Sequence, residues 1–211
     1  MESNLIITLS GKAHVGKDLV GELFKRYCEE MGMTGFTLAF ADSLKNHCMR
    51  NLGYYDKDKD RKILQDFGTR VREIEPEFWA RQVYTTIDAF RSMFDVFIIT
   101  DCRYENEMNL YPYRLVYPIV NILVKRDVEG EIGEVEASHE SEQLADQEDK
   151  FHYIIDNNGT IEETYEQVRD IFNDILLKKA DFAHNVDDMV EQNKDELKEI
   201  IDKFLKDELD G

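Results

Sequence analysis

Short apolar runs alternate with longer stretches of helical spacing along most of the chain. Five runs of apolar residues predict buried strands, at Leu5–Leu9, Phe36–Phe40, Asp95–Asp101, Ile119–Val124 and Tyr153–Ile155. After the first run, apolar residues recur at i, i+3, i+4 and i+7 from Val20 to Tyr27, which predicts an amphipathic helix. Strands that alternate with helices indicate an open α/β fold.

The segment between the first strand and the first helix has the spacing of a phosphate-binding loop. Gly11 and Gly16 enclose four residues, and Lys17 follows. Strand, glycine-rich turn and helix form the context that a P-loop requires, because the curled backbone points its N–H groups inward and the helix adds its positive end. A simple strand-to-helix turn is the alternative, but it does not explain a lysine in the first helical turn, where the dipole disfavours cations.

Two acidic residues are candidate magnesium ligands. Asp18 stands where a P-loop usually has Ser or Thr, and a carboxylate is also a hard oxygen ligand. Asp101 ends the predicted strand Asp95–Asp101, whose central residues are apolar, in the manner of a Walker-B segment. It is predicted to hold Mg2+ or to accept a proton. A helix cap is the alternative role for Asp101. Arg103 follows two residues later and is expected at the same sheet edge.

Several cations in the first half of the chain are candidates for binding an anionic substrate. Lys45 follows the second predicted strand, where α/β sheets bind ligands, although a solvated helix lysine is an equal alternative. Asp42 or Ser43 is predicted to cap that helix. Arg70 has the guanidinium fork that suits phosphate, unless it pairs with surface acids. Gly68 is expected to mark the close approach of a ligand or another helix. Pro76 is predicted to be the first residue of the next helix, and Trp79 of that helix is predicted to lie in the core.

The second half of the chain offers a candidate lid and a candidate nucleotide-contacting turn. The segment 127–149 is rich in Asp and Glu and contains neither Lys nor Arg, which predicts a solvated loop or a lid over the site, with Arg126 at its entrance. Asn157 and Gly159 belong to a turn, followed by the capping-box pair Thr160 and Glu163. This turn is either purely structural or a contact for the nucleotide base.

Composition limits the possible partners. The 211 residues are 42% hydrophobic and carry a formal net charge of −19, which indicates a folded domain and argues against binding a nucleic-acid polymer. A small anionic substrate must therefore be held by a local cluster of cations. Three scattered cysteines, together with the lack of a signal-peptide pattern or a membrane-length apolar run, predict a cytoplasmic protein without membrane association.

Several motifs together resemble one family. They are Leu9–Asp18, Phe40–Lys45, Gln65–Thr69, Thr100–Glu107, His139–Glu142 and Asn157–Thr160. In this order they resemble phage-type deoxynucleoside monophosphate kinases, and the P-loop is also similar to that of animal phosphomevalonate kinases. The segment that begins at Asn157 is similar to the adenine-side loop of dephospho-CoA kinases. The resemblance spans about residues 4–178.

The resemblance implies an α/β, three-layer P-loop NTPase fold of the nucleoside-monophosphate-kinase type, with a five-stranded parallel sheet. It implies a kinase domain at 1–178, with a substrate-binding helical segment at about 42–94 and a lid at about 126–150. The acidic residues 179–211 lie outside the family pattern and have the apolar spacing of a C-terminal helical extension. A bacterial cell or a phage-infected host is the implied setting.

The resemblance also implies roles for individual residues. Lys17, Asp101 and Arg103 are the expected catalytic residues, and Asp18 and Asp101 the expected Mg2+ ligands. The expected ATP contacts are Gly11, Lys12, Ala13, His14, Val15, Gly16, Lys17, Asp18, Asn157 and Gly159. The expected acceptor contacts are Asp42, Lys45, Gly68, Arg70, Arg103 and Arg126.

The expected reaction is phosphoryl transfer from Mg2+-ATP to a deoxynucleoside 5′-monophosphate, which yields the diphosphate and ADP. One alternative is a kinase of another phosphorylated metabolite, such as phosphomevalonate or dephospho-CoA. Another is a nucleotide-binding regulatory protein without transferase activity, which a lid with only Arg126 as its arginine would favour slightly.

Overall fold

A computed structural model of the chain describes residues 4–52, 61–109, 117–127 and 144–192. The strands are β1 (Leu5–Ser10), β2 (Gly35–Leu38), β3 (Val96–Ile99), β4 (Ile119–Lys125) and β5 (Tyr153–Asp156). The helices are α1 (Lys17–Glu30), α2 (Phe40–Leu52), α3 (Arg61–Ile74), α4 (Phe78–Phe90), α5 (Glu105–Asn109) and α6 (Ile161–Gln192), with 3-10 turns at Leu144–Asp146 and Glu148–Lys150. Most of the predicted lid and the acidic residues after 192 lie outside these ranges.

The five strands form one sheet in the order β2-β3-β1-β4-β5, and every neighbouring pair is parallel. The predicted α/β fold with a five-stranded parallel sheet is confirmed. From β1 the chain crosses to β2 at one edge of the sheet, whereas from β3 it crosses over β1 to β4 on the other side. The strand order therefore reverses beside β1, and ligands of open α/β sheets bind at the carboxyl ends of strands at such a point.

Helices cover both faces of the sheet. Helix α1 packs closely on one face, since a Cβ atom on its Gly21 would lie 2.6 Å from Cγ2 of Thr100. Helix α4 packs on the opposite face, where its apolar side joins the sheet residues in one buried cluster that includes Ile6, Val83 and Phe97. Trp79 of α4 is 1% exposed, as its predicted place in the core requires. Three layers around a buried sheet account for the apolar character of the predicted strands.

Two helices begin at other residues than the sequence predicts. Helix α2 begins at Phe40, so the predicted cap at Asp42 or Ser43 is wrong. The carboxylate of Asp101 accepts the N–H groups of Phe40 (2.7 Å) and Ala41 (2.9 Å), which starts the helix earlier. Helix α4 begins at Phe78, so Pro76 precedes its first turn instead of forming it.

The chain divides into two compact units, Met1–Ile171 and Phe172–Gly211. The first unit contains the whole sheet. Of the second unit, the described part is α-helical as far as Gln192. The helices in the described ranges are all too short or too polar to cross a membrane.

Candidate active site

The loop between β1 and α1 is curled at three residues with positive φ. Gly11 (φ 151°) and Gly16 (φ 92°) adopt conformations that favour glycine, and His14 (φ 64°) is left-handed between them. A side chain on Gly11 would meet the carbonyl oxygen of Val124, and one on Gly16 would meet the amide of Asn157. Both glycines are therefore required by shape as well as by backbone conformation.

The ammonium group of Lys17 lies back over the loop that precedes it. Its Nζ donates to the carbonyl oxygens of Gly11 and Lys12, each at 2.8 Å. Lys17 is the first residue of α1, where the helix itself contributes a positive end. A fixed cation and a helix N-terminus thus converge on one curled loop, which is the arrangement that binds phosphate.

Asn157, in the turn after β5, supports the P-loop. Its Nδ2 donates to the carbonyl oxygen of Val15 at 2.8 Å, and its Oδ1 accepts the hydroxyl of Thr164 at 2.9 Å. Its main-chain N–H donates to the carbonyl of Lys125 at 2.8 Å. Asn157 is only 4% exposed, so its side chain is committed to the loop and to the start of α6.

The turn around Gly159 forms the predicted capping box. Thr160 donates its N–H to Oε2 of Glu163 at 2.8 Å, and Glu163 donates its N–H to Oγ1 of Thr160 at 3.2 Å. A side chain on Gly159 would collide with the Glu163 carboxylate. This glycine therefore leaves room for the cap of α6, and the prediction of a capping box is confirmed.

Asp101 connects the carboxyl end of β3 to the start of α2. Its two oxygens each accept one N–H group from α2, and the Cys102 N–H donates to the Leu9 carbonyl at 3.1 Å, which extends the β1–β3 pairing toward the P-loop. Burial raises the pKa of Asp101, while the α2 N–H groups and Arg103 lower it. Asp101 therefore caps α2, and its carboxylate lies at the same edge of the sheet as the P-loop.

A buried carboxylate, Glu107, lies on α5, just after the loop that follows β3. Glu107 accepts the N–H groups of Arg103 (2.8 Å) and Tyr104 (3.2 Å) and pairs with Nη2 of Arg72 (3.1 Å). Burial raises the pKa of Glu107 to about 7, although Arg72 lowers it. The guanidinium of Arg72 also lies over the ring of Tyr104, 4.0 Å from its centroid.

Sequence reasoning assigned no role to Glu107, and it selected Arg70 instead of Arg72 for the acceptor phosphate. A local signal was available for Glu107, because it stands three residues after Tyr104, which precedes α5, and a Glu at that position accepts the N–H of the capping residue. No local signal distinguishes Arg72 from Arg70. Only the packing of α3 shows that Arg72 reaches the loop after β3.

The remaining predicted acceptor residues are distributed over α2, α3 and the end of β4. Lys45 pairs with Asp42 at 3.2 Å on the half-exposed side of α2. Gly68 is buried, lies close to Leu44 and accepts the indole N–H of Trp79 at 3.2 Å, so the close approach it marks is that of neighbouring helices. Arg70 and Arg126 are both exposed.

The P-loop also contacts the last part of the predicted lid. Lys12 pairs with Asp146 at 2.8 Å, and Lys125, at the end of β4, pairs with Glu148. Lys150 pairs with Glu105 of α5 at 2.9 Å. These exposed pairs contribute little stability each, but they bring the end of the acidic segment to the carboxyl edge of the sheet.

The fold and the site together define the class of the protein. A P-loop that follows the central strand of a parallel sheet, with its lysine at the start of the next helix and an acidic residue after the neighbouring strand, is the architecture of a P-loop kinase. A family model for deoxynucleotide monophosphate kinase matches residues 56–168, which is more than half of the chain. The chain therefore belongs to the deoxynucleotide monophosphate kinase family, as its motifs indicate.

Solved structures of other kinases are similar to this chain at low identity. One is an APS kinase mutant from Mycobacterium tuberculosis, with 13% identity, a TM-score of 0.48 and coverage of 82% of this chain and 99% of that one. Another is the shikimate kinase from Aquifex aeolicus, with 12% identity, a TM-score of 0.46 and coverage of 82% and 99%. Among curated proteins, no sequence matches this chain.

Proposed function

We propose that the protein transfers the γ-phosphoryl group of ATP to a deoxynucleoside 5′-monophosphate, which yields the diphosphate and ADP. One observation carries the proposal: in a member of the deoxynucleotide monophosphate kinase family, the P-loop Gly11–Lys17 follows the strand that pairs with β3, and Asp101 and Arg103 follow β3. Because both strands are parallel, donor loop and charged residues share one sheet edge.

The shape of the P-loop fits a triphosphate. Positive φ angles at Gly11, His14 and Gly16 curl the backbone, so that its N–H groups bind phosphate oxygens together with the N-terminus of α1. Gly11, Lys12, Ala13, His14, Val15 and Gly16 are the proposed backbone contacts, and Lys17 is the proposed cation. Asn157 and Gly159 support this donor side through the P-loop and the cap of α6.

The carboxylates fit a magnesium ion that is held jointly with the nucleotide. Asp18 is exposed in the first turn of α1, and Asp101 retains acceptor capacity, since a carboxylate accepts about four hydrogen bonds and two are made to α2. No group of three or more metal-binding side chains occurs within the described ranges, and Mg2+ at phosphate sites needs only one or two carboxylates. When bound, Mg2+ neutralises charge on the phosphoryl oxygens.

The acceptor must be bound by local cations. Two polyanionic substrates meet on a chain with a net charge of −19, so their repulsion has to be offset within the site. Lys45, which Asp42 holds on α2, and Arg103, which lies near Asp101, are the proposed main contacts of the acceptor phosphate. Arg70, Arg126 and the backbone around Gly68 are further proposed contacts.

The proposal is tested by measuring ADP release with Mg2+-ATP across a panel of acceptors. The panel contains the four common deoxynucleoside monophosphates, 5-hydroxymethyl-dCMP, the ribonucleoside monophosphates, phosphomevalonate and dephospho-CoA. Acceptor-dependent ADP release with at least one deoxynucleoside monophosphate is the expected result. Activity with phosphomevalonate or dephospho-CoA alone would overturn the proposed acceptor class. ATP binding without ADP release across the panel would refute the proposed reaction.

A further inference from the structure

Glu107 is a buried carboxylate with three donors from two separate parts of the chain. Its side chain is 2% exposed. Oε2 accepts the N–H groups of Arg103 and Tyr104, directly after β3, while Oε1 accepts from Arg72 on α3. A buried carboxylate is costly unless it is paired and hydrogen-bonded. The contacts of Glu107 therefore form one unit that joins α3 to the charged loop after β3.

The guanidinium of Arg72 contacts Glu107 and Tyr104 and lies close to Gly68. Glu107 binds its Nη2, the ring of Tyr104 lies 4.0 Å below its centre, and Nη1 lies 3.4 Å from the position that a Cβ of Gly68 would occupy. The ion pair with Glu107 and the stacking on the ring of Tyr104 together fix the orientation of the guanidinium. Glycine at position 68 thus leaves room for a fixed arginine as well as for the neighbouring helix.

Arg70 and Arg72 of α3 differ in this respect. Arg70 lies two residues before Arg72, which places it on another side of the helix, and it is exposed. The side chain of Arg72 is only 24% exposed. An arginine that is already oriented loses less side-chain entropy on binding an anion than an exposed one does. Arg72 is therefore the better-prepared phosphate ligand of the two.

We infer that Glu107 is a positioning residue of the acceptor site, which holds Arg72 next to the main chain of Arg103 so that guanidinium groups from α3 and from the loop after β3 bind one acceptor phosphate. This inference rests on the proposed function. Glu107 itself acts from behind the two arginines, because its buried carboxylate would repel the anion if it faced the site. Its effect is on the affinity for the acceptor, and ATP binding at the P-loop is independent of it.

The test compares steady-state kinetics of Glu107→Asp, Glu107→Gln and Arg72→Lys with those of the wild type. Aspartate is one methylene shorter and cannot span α3 and the loop after β3, glutamine keeps the length but loses the charge, and lysine loses the planar fork. Each variant is expected to raise KM for the acceptor about tenfold or more, since small displacements of binding groups have such effects. KM for ATP stays within about twofold.

Glu105→Gln is the matched control. Glu105 lies on the same short helix as Glu107, but it is exposed and pairs with Lys150. It is expected to keep both KM values. The double variant Glu107→Gln/Arg72→Lys is expected to be no worse than the poorer single variant, as coupled residues act together. The Arg72→Lys change is made on the partly exposed partner, so it tests the same unit if a Glu107 variant does not fold.

Three results would overturn the inference. The first is an unchanged acceptor KM in folded Glu107 and Arg72 variants, and the second is an equal rise in both KM values, which is the mark of a merely structural role. The third is a wild-type protein that phosphorylates no deoxynucleoside monophosphate, which refutes the proposed function as well. The first two results leave the proposed function intact, so the two failures are distinguishable.

Discussion

The side-chain amide of Asn157 donates to the carbonyl oxygen of Val15 at 2.8 Å, across 142 positions of sequence. This hydrogen bond joins the turn after β5 to the P-loop. Thr164 fixes the orientation of the amide by donating to its oxygen at 2.9 Å. The conformation of the P-loop thus depends on a residue that our proposal places outside direct contact with the phosphates.

Replacing Asn157 by aspartate should weaken ATP binding selectively. The variant turns an oxygen toward the carbonyl of Val15, and an unsatisfied buried polar group costs about 1–3 kcal/mol. We expect KM for ATP to rise about tenfold, which corresponds to about 1.4 kcal/mol, and KM for the acceptor to stay unchanged. Steady-state kinetics with each substrate varied in turn measures both values. Glu166→Gln, an exposed change on α6, is the control, and an unaltered KM for ATP in folded protein would contradict the expectation.

Lys17→Ala should abolish turnover without unfolding the protein. The lysine donates to the carbonyls of Gly11 and Lys12 within its own loop, and removing a charge-stabilising group from a transition state costs at least about 100-fold in kcat. ADP release and the thermal midpoint are the two measurements. Lys25→Ala, on the same helix, should keep full activity. Turnover at the wild-type rate in Lys17→Ala would remove this lysine from the site.

Asp101→Asn should lose both stability and activity, whereas Asp95→Asn should lose stability alone. Each carboxylate accepts backbone N–H groups, Asp101 at the carboxyl end of β3 and Asp95 just before the strand begins, where it accepts the N–H of Thr34 at 2.7 Å. Loss of such a cap costs about 1 kcal/mol. Urea unfolding gives the stability change, and ADP release gives the activity. Equal activity losses in the two variants would show that Asp101 acts only as a cap.

The pH dependence of stability should change in Glu107→Gln. The pKa of Glu107 is raised by burial from 4.5 to about 7. Between these pH values the folded protein retains a proton that the unfolded chain releases, so this residue makes the protein less stable as pH rises from about 4.5 to about 7. Urea unfolding at several pH values should show a flatter profile for Glu107→Gln than for the wild type. Glu105→Gln should keep the wild-type slope, and parallel profiles for all three proteins would exclude a raised pKa.

Features that depend on neighbouring residues could be predicted from the sequence. The P-loop is contiguous in the sequence, so its glycines predict the backbone shape and Lys17 predicts the charge. The capping box of Thr160 and Glu163 is equally local. Buried parallel strands require continuous apolar runs, so all five strands were found, with ends displaced by at most two residues.

Contacts between elements that are far apart in the sequence could not be predicted from it. The bond between Asp101 and the start of α2 spans 61 positions, and that between Arg72 and Glu107 spans 35. Spacing does not tell which backbone N–H groups will lack a partner within their own helix. The apolar pattern of α3 is also ambiguous, since Ile74 is 86% exposed, and the pattern does not show whether Arg70 or Arg72 turns inward.

The position of β1 in the middle of the sheet separates the proposed determinants of the two substrates. Most residues proposed for the acceptor follow β2 and β3 on one side of β1, whereas Arg126 follows β4 and Asn157, which supports the donor loop, follows β5 on the other side. Substitutions on the side of β2 and β3 are therefore expected to change the use of the acceptor more than the use of ATP. The loop that binds the phosphate donor can then stay the same while the acceptor preference changes, which a single pocket shared by both substrates would not allow.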